Sequence, residues 1–97
     1  MNDLSVLAEL WDVISQRIDS KASSSYVAGL VSGPKGADRV LEKVGEEATE
    51  FIIAVKNGDR HQVVSEAADL QFHLLVALKS SGVDFDEVLA ELEKRRR

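Results

Sequence analysis

Cysteine is absent from the 97-residue sequence, and proline, tryptophan and tyrosine each occur only once. Without cysteine, neither disulfide bonds nor a cysteine-rich metal site can stabilise the fold. No apolar run approaches the roughly 20 residues that a helix needs to cross a bilayer, so no membrane span is predicted. A chain this short buries only about 60 to 65% of its unfolded surface on folding. A single subunit therefore needs support from something besides its own core.

Basic residues are outnumbered, with 12 lysines and arginines against 17 acidic residues and a net charge of −5. This balance argues against a general nucleic-acid binder, which depends on a basic field to neutralise phosphates. The basic run at 94–97 is interpreted as a solvated helix end. The first residues include acids where a secretory signal requires a basic start. We therefore expect a cytoplasmic protein with neither a nucleic-acid nor a membrane partner.

Start and stop signals frame four predicted helices, and no strand pattern competes with them. Asp59 and Asp84 each stand three positions before a residue suited to a capping box, and Asn57-Gly58 is a left-handed stop. Residues 19–36 hold five serines and the only proline, so they are predicted to be loop. The predicted helices cover residues 4–18, 37–56, 60–81 and 85 onward.

The third predicted helix is apolar on nearly every face from Leu70 to Leu78. Such a helix must be covered on nearly every face, and four short helices of one subunit can hardly do this. We therefore predict an all-α fold in which residues 1–97 form one domain. The expected architecture is a four-to-five-helix bundle that is completed by homodimerisation.

Pairs of acidic residues lie where the apolar faces of the second and third helices end. At about 100° per residue, Glu47 lies at the edge of the apolar stripe of the second helix, and Glu50 lies just beyond it. Glu66 and Asp69 share one column of the third helix. Because a short turn favours an antiparallel hairpin, the two pairs can converge. The stripe of the second helix is predicted to consist of Val40, Val44, Ala48, Phe51 and Val55.

Four carboxylates that converge beside a core repel one another and resist desolvation, so a cation is expected among them. The available ligands are almost all oxygens, which disfavours zinc, iron and copper and favours Mg²⁺, with Mn²⁺ as a further possibility. Mg²⁺ bound by carboxylates normally shares its shell with phosphate oxygens, which points to a phosphate-bearing substrate. The alternative is that the acids form a solvated helix face paired with lysines at helical spacing.

Other polar and aromatic residues allow more than one interpretation. Lys43 and Arg39 lie one and two turns before the first acid pair, where they either form a cationic track for phosphates or pair with the acids. His73 is interpreted as a hydrogen-bonded residue at the core boundary rather than a metal ligand or a base. Trp11 is expected in the core and His61 on the surface.

Six stretches together resemble a known family. They are "SY" at 25–26, "EKVGEEATE" at 42–50, "NGDR" at 57–60, "EAADL" at 66–70, "HLLVAL" at 73–78 and "GVDFDEVLAELEKR" at 82–95. An E-x-x-E pair followed after fifteen residues by E-x-x-D is moderately specific for the all-α nucleoside triphosphate pyrophosphohydrolases. The residues around these acids resemble one branch of that group more specifically, the phosphoribosyl-ATP pyrophosphohydrolases of histidine biosynthesis.

The resemblance implies a catalytic group of acids and a separate set of substrate-binding residues. The acids are Glu46, Glu47, Glu50, Glu66 and Asp69, and all of them except Glu46 are expected to bind Mg²⁺. The substrate-binding residues are Arg17, Ser25, Tyr26, Arg39 and Lys43.

The implied reaction is the magnesium-dependent hydrolysis of phosphoribosyl-ATP to phosphoribosyl-AMP and pyrophosphate. Water is the nucleophile, and either Glu50 or Glu46 orients or deprotonates it. No serine or cysteine nucleophile is needed, because phosphoryl transfer depends mainly on positioning and electrostatics. Two alternatives stay open: a general nucleoside triphosphate pyrophosphohydrolase, and a noncatalytic helical interaction module.

Overall fold

The computed structural model describes residues 3–20 and 26–96, and within these ranges the chain forms five α-helices and no strand. This confirms the predicted all-α class. None of the described helices is long and apolar enough to cross a membrane. The helices are α1 (Ser5–Ser20), α2 (Tyr26–Ser32), α3 (Ala37–Asn57), α4 (Arg60–Ser80) and α5 (Phe85–Lys94).

The prediction of a loop over 19–36 is wrong for most of its described residues. The first helix continues to Ser20, and a short second helix spans Tyr26–Ser32. This α2 helix forms because three of its side chains, those of Val27, Ala28 and Leu30, are buried against the rest of the chain. Burial offsets the poor helix propensity of its glycine and serine. Seven residues are too few for an apolar period to show in the sequence.

The α3 and α4 helices form a hairpin and share the most extensive helix–helix contact of the described chain. Gly58 ends α3 in the left-handed conformation, with φ 70°, and its N–H donates to the carbonyls of Ala54 and Val55. Asp59 then begins α4 by accepting a hydrogen bond of 3.2 Å from the backbone N–H of Gln62. These contacts confirm the predicted stop and start, and they leave only Gly58 and Asp59 between the helices.

The core surrounds the C-terminal half of α4. Leu75 and Val76 are fully buried there, against Ile14 of α1 and Val40 of α3. Trp11 packs on this cluster, which confirms its predicted place, and its ring centroid lies 5.7 Å from that of Phe85. The N-terminus of α5 is held by the predicted capping box between Asp84 and Glu87.

The buried face of α3, which packs against the other helices, is centred on Glu47. The sequence instead predicts Glu47 at the edge of the apolar stripe. Val40, Glu47 and Ala54, spaced seven residues apart, are the buried residues of α3. The prediction that Val55 lies in the core is wrong, because its side chain is 49% exposed. Apolar residues occupy a broad part of the α3 surface, and the other helices cover only one side of it. The sequence pattern of α3 alone does not show which side is covered. The exposed apolar residues of α3 are Leu41, Ile52, Ile53 and Val55.

Candidate metal centre

An acidic cluster lies where α3 and α4 face each other. One carboxylate oxygen from each of Glu47, Glu66 and Asp69 lies within 4.8 Å of the others. Glu47 is buried, Glu66 is half-buried and Asp69 is exposed, so the cluster leads from the core to solvent. Ligand oxygens at about 2.1 Å from Mg²⁺ can be up to roughly 4.2 Å apart. Small side-chain rotations would therefore bring the three oxygens to one ion.

Two oxygens of this cluster are buried without a hydrogen-bond partner in the described part of the chain. Oε2 of Glu47 and Oε2 of Glu66 are shielded from solvent and have no hydrogen-bond partner among the described residues. An ionised oxygen that is buried without a partner is unfavourable, so buried charges are normally paired or bound to metals. The cluster offers only carboxylate oxygens, the ligands that Mg²⁺ and Mn²⁺ prefer. The residues present therefore fit a divalent cation.

Glu50 extends the cluster beyond these three acids. It faces Glu66 closely enough that a shared proton would join the two carboxylates, and this is the largest cause that raises the pKa of Glu66 to about 7. Desolvation and repulsion from the neighbouring acids add to the shift. Glu47, Glu66 and Asp69 therefore come together as predicted, and Glu50 adjoins Glu66 at the side of this group.

A ladder of ion pairs follows the solvent side of α3 and ends at the cluster. The Lys43 ammonium lies 3.2 Å from Glu47 Oε1 and 3.4 Å from Glu46 Oε2. Its hydrogen bond to Glu47 is the main cause that raises the pKa of Lys43. The Arg39 guanidinium lies 3.5 Å from Glu46 and 3.6 Å from Glu42. Pairing with acids, one of the two interpretations of the cationic track, is thus observed, and Glu46 belongs to the ladder.

Tyr26 and His73 lie beside the cluster and contact each other. His73 is buried, and its ring nitrogens meet the Tyr26 hydroxyl at 2.9 Å and the backbone carbonyl of Asp69 at 2.8 Å. This confirms His73 as a hydrogen-bonded residue. The sequence interpretation missed its link to Tyr26, because that link needs α2. The available signal was the composition of "YVAGLV", in which every residue is apolar, aromatic or small.

The structure describes no contact between the acidic cluster and Arg17, Ser25 or His61. Arg17 is exposed on α1 and forms no ion pair within the part of the chain that the structure describes. Ser25 lies outside the described residues. His61, predicted to lie on the surface, is exposed in the first turn of α4. The roles of Arg17 and Ser25 in substrate binding stay predictions.

The fold and the acidic cluster define an all-α protein with a candidate divalent-cation centre inside a helical hairpin. Residues 7–96 match the family model described as phosphoribosyl-ATP pyrophosphohydrolase. The chain belongs to this family.

Relatives named phosphoribosyl-ATP pyrophosphatase are similar over almost the whole chain. The protein of Methanosphaerula palustris is 57% identical over 97 residues, which are 100% of this chain and 98% of the relative. That of Methanoregula boonei is 55% identical, covering 98% of this chain and 91% of the relative. That of Methylibium petroleiphilum is 54% identical, with 92% and 72% covered.

Proposed function

We propose that the protein hydrolyses phosphoribosyl-ATP to phosphoribosyl-AMP and pyrophosphate, in the second step of histidine biosynthesis, with Mg²⁺ or Mn²⁺ as cofactor. Membership of the family and the names of the relatives support this reaction. The structural observation that carries the proposal is the Oε2 atom of Glu47, buried without a partner beside Glu66 and Asp69. A divalent cation would supply the partner that this oxygen lacks.

Glu47, Glu66 and Asp69 would hold the cation, with Glu50 as the fourth acid. When bound, Mg²⁺ polarises phosphate oxygens and neutralises charge on the departing pyrophosphate. Glu50 is better placed than Glu46 to orient or deprotonate the attacking water. Glu50 adjoins Glu66 of the cluster, whereas Glu46 is paired with two cationic side chains, Arg39 and Lys43.

We assign the substrate contacts mainly to three side chains near the cluster, those of Lys43, Arg39 and Tyr26. Lys43 and Arg39 carry the positive charge nearest to the acids on α3, so they would bind phosphate oxygens of the substrate. Tyr26 is 56% exposed at the start of α2 and would contact the rest of the substrate, together with Ser25 and Arg17.

We further propose that residues 1–97 act as one domain and that two copies form a homodimer. The apolar residues that α3 leaves exposed support this, because Leu41 and Ile52 are each 60% exposed. On α4, Val64 is 64% exposed and Leu74 is 43% exposed. Neighbouring helices that both leave apolar side chains in water are suited to cover each other across a two-fold axis. The cytoplasmic location stays a prediction.

The direct test is incubation of the purified protein with phosphoribosyl-ATP and Mg²⁺ while pyrophosphate release is measured. We expect release that depends on the metal and stops when a chelator is added. Deoxyuridine and deoxycytidine triphosphates are the control substrates, since a general nucleotide pyrophosphohydrolase would cleave them at comparable rates. Absence of hydrolysis of phosphoribosyl-ATP by folded protein would overturn the proposal.

A further inference from the structure

Lys43 sits between two carboxylates of very different exposure. Its ammonium lies 3.2 Å from Glu47, whose side chain is 7% exposed, and 3.4 Å from Glu46, whose side chain is 49% exposed. The Lys43 side chain itself is 20% exposed. One cation is thus shared between a buried acid of the metal cluster and a solvated acid outside it.

Lys43 is also the only basic side chain that lies within 4.0 Å of a cluster acid in the described chain. The cluster gathers Glu47, Glu66 and Asp69, with Glu50 beside Glu66. The lysine ammonium therefore neutralises part of the negative charge of these carboxylates, and a divalent ion would neutralise more of it. Lys43 contacts Oε1 of Glu47, whereas Oε2 is the oxygen without a partner among the described residues. A divalent ion at Oε2 would repel the ammonium at Oε1 of the same carboxylate, so metal binding weakens the contact between Lys43 and Glu47.

We infer that Lys43 is the internal counter-ion of the acidic cluster, and that Glu46 is a positioning residue that keeps the ammonium when a divalent ion binds Oε2 of Glu47 and repels it from Oε1. This rests on the proposed function, because it assumes a cation at the cluster. The exchange needs only side-chain rotation, since Glu46 already contacts the ammonium. Arg39, 3.5 Å from the other oxygen of Glu46, holds that carboxylate in place.

The exchange couples metal binding to substrate binding. In the metal-free protein the ammonium is directed at a buried carboxylate. With the metal bound, it turns toward the solvated side, where the phosphates of a nucleotide approach. A phosphate that binds Lys43 in its outward position should therefore increase the affinity for the metal. The metal should increase the affinity for the phosphate by the same free energy, because binding couplings are reciprocal.

The test is calorimetric titration of Mg²⁺ alone into the full chain and its variants. Lys43→Met should bind Mg²⁺ about tenfold more tightly than the unaltered chain, because a competing cation is gone. Glu46→Gln should bind Mg²⁺ several-fold more weakly, because Glu47 is then the only carboxylate that pairs with the Lys43 ammonium. In the double variant the Glu46→Gln effect should vanish, since it acts through Lys43.

Lys35→Met and Glu91→Gln are the controls. They alter a lysine that lies 3.1 Å from Glu42 and a glutamate of α5 that lies 2.9 Å from Arg95, and neither side chain contacts Lys43, Glu46 or a cluster acid among the described residues. Each should change the Mg²⁺ affinity less than twofold. If Lys43→Met does not tighten binding, or if Glu46→Gln weakens it equally with and without Lys43, the inference is overturned.

A second measurement needs no variant. In the unaltered protein, nuclear Overhauser contacts from the Lys43 ε-methylene to Glu47 should weaken on Mg²⁺ addition, while those to Glu46 persist. Unchanged contacts at saturating Mg²⁺ contradict the exchange. Failure of the two proposals is distinguishable: a chain that binds no Mg²⁺ removes both the cofactor and the exchange, whereas normal Mg²⁺ binding and hydrolysis with unchanged contacts removes only the exchange.

Discussion

The Tyr26 hydroxyl on α2 and Nε2 of His73 on α4 lie 2.9 Å apart. The other ring nitrogen of His73, Nδ1, lies 2.8 Å from the carbonyl oxygen of Asp69, which can only accept a hydrogen bond. Nδ1 therefore carries the proton, and in the neutral ring Nε2 accepts from Tyr26. This bond fixes α2 on α4 next to the acidic cluster.

Removal of the Tyr26 hydroxyl should test this bond. Tyr26→Phe leaves a buried ring nitrogen of His73 without a donor, so we expect a loss of about 1 kcal/mol in the free energy of unfolding, measured with urea. In a His73→Leu background the same substitution should cost much less. Nitrogen NMR should show the Nδ1–H tautomer for His73, with exposed His61 as the internal reference. An Nε2–H tautomer at His73 contradicts the assignment.

The stability of the metal-free protein should fall as the pH rises from about 4.5 to about 7. The pKa of Glu66 is raised from its ordinary value of 4.5 to about 7 in the folded state, so folding favours its protonated form. The stabilisation is complete below the unfolded value and is lost as pH passes through the folded value. Thermal melts across this range should therefore show a decline that Glu66→Gln removes.

Added Mg²⁺ should reverse this trend, since metal and proton compete for the same carboxylates. Its affinity should increase with pH up to about 7 and then level off. Glu9→Gln, which alters an exposed acid of α1, is the control and should keep the full decline. A pH profile that is the same for the Glu66 and Glu9 variants would mean that Glu66 titrates normally.

Asp69→Asn should separate the site from the scaffold. As a proposed direct metal ligand, Asp69 should contribute more than the 10- to 100-fold typical of residues that only contact the ligands, so activity should drop by at least about 100-fold. The metal-free melting temperature should stay equal or increase slightly, because repulsion within the cluster is relieved. Asp12→Asn, at an exposed acid of α1, should alter neither. A melting temperature that falls in step with activity would favour a structural role for Asp69.

Ile52→Lys should convert the proposed dimer to a monomer, because it places a charge in the exposed apolar face of α3. Leu92→Lys on α5 is the matched control, since both side chains are 60% exposed but only Ile52 lies on the hairpin. Light scattering coupled to size exclusion gives the mass of each variant. A dimer that survives Ile52→Lys but not Leu92→Lys would move the interface to α5.

Helix ends were predictable because their signals are local. Gly58 and Asp84 act through their own backbone or through the next few residues, so both were correctly read from the sequence. The convergence of the acids followed from helical period and a short turn. The α2 helix was not predictable, because Val27 and Leu30 become helical through burial by distant residues. The place of Glu47 within the covered face of α3 likewise depends on which side the rest of the chain occupies.

The α4 helix carries its two tasks in different halves. Leu75 and Val76, near its C-terminus, anchor the chain, whereas Glu66 and Asp69, nearer its N-terminus, gather the charge. Substitutions among these acids can therefore alter the charge of the cluster while the packing around Leu75 and Val76 is kept. By the same separation, the chemistry of one half of the helix can change in the course of evolution without loss of the scaffold in the other half.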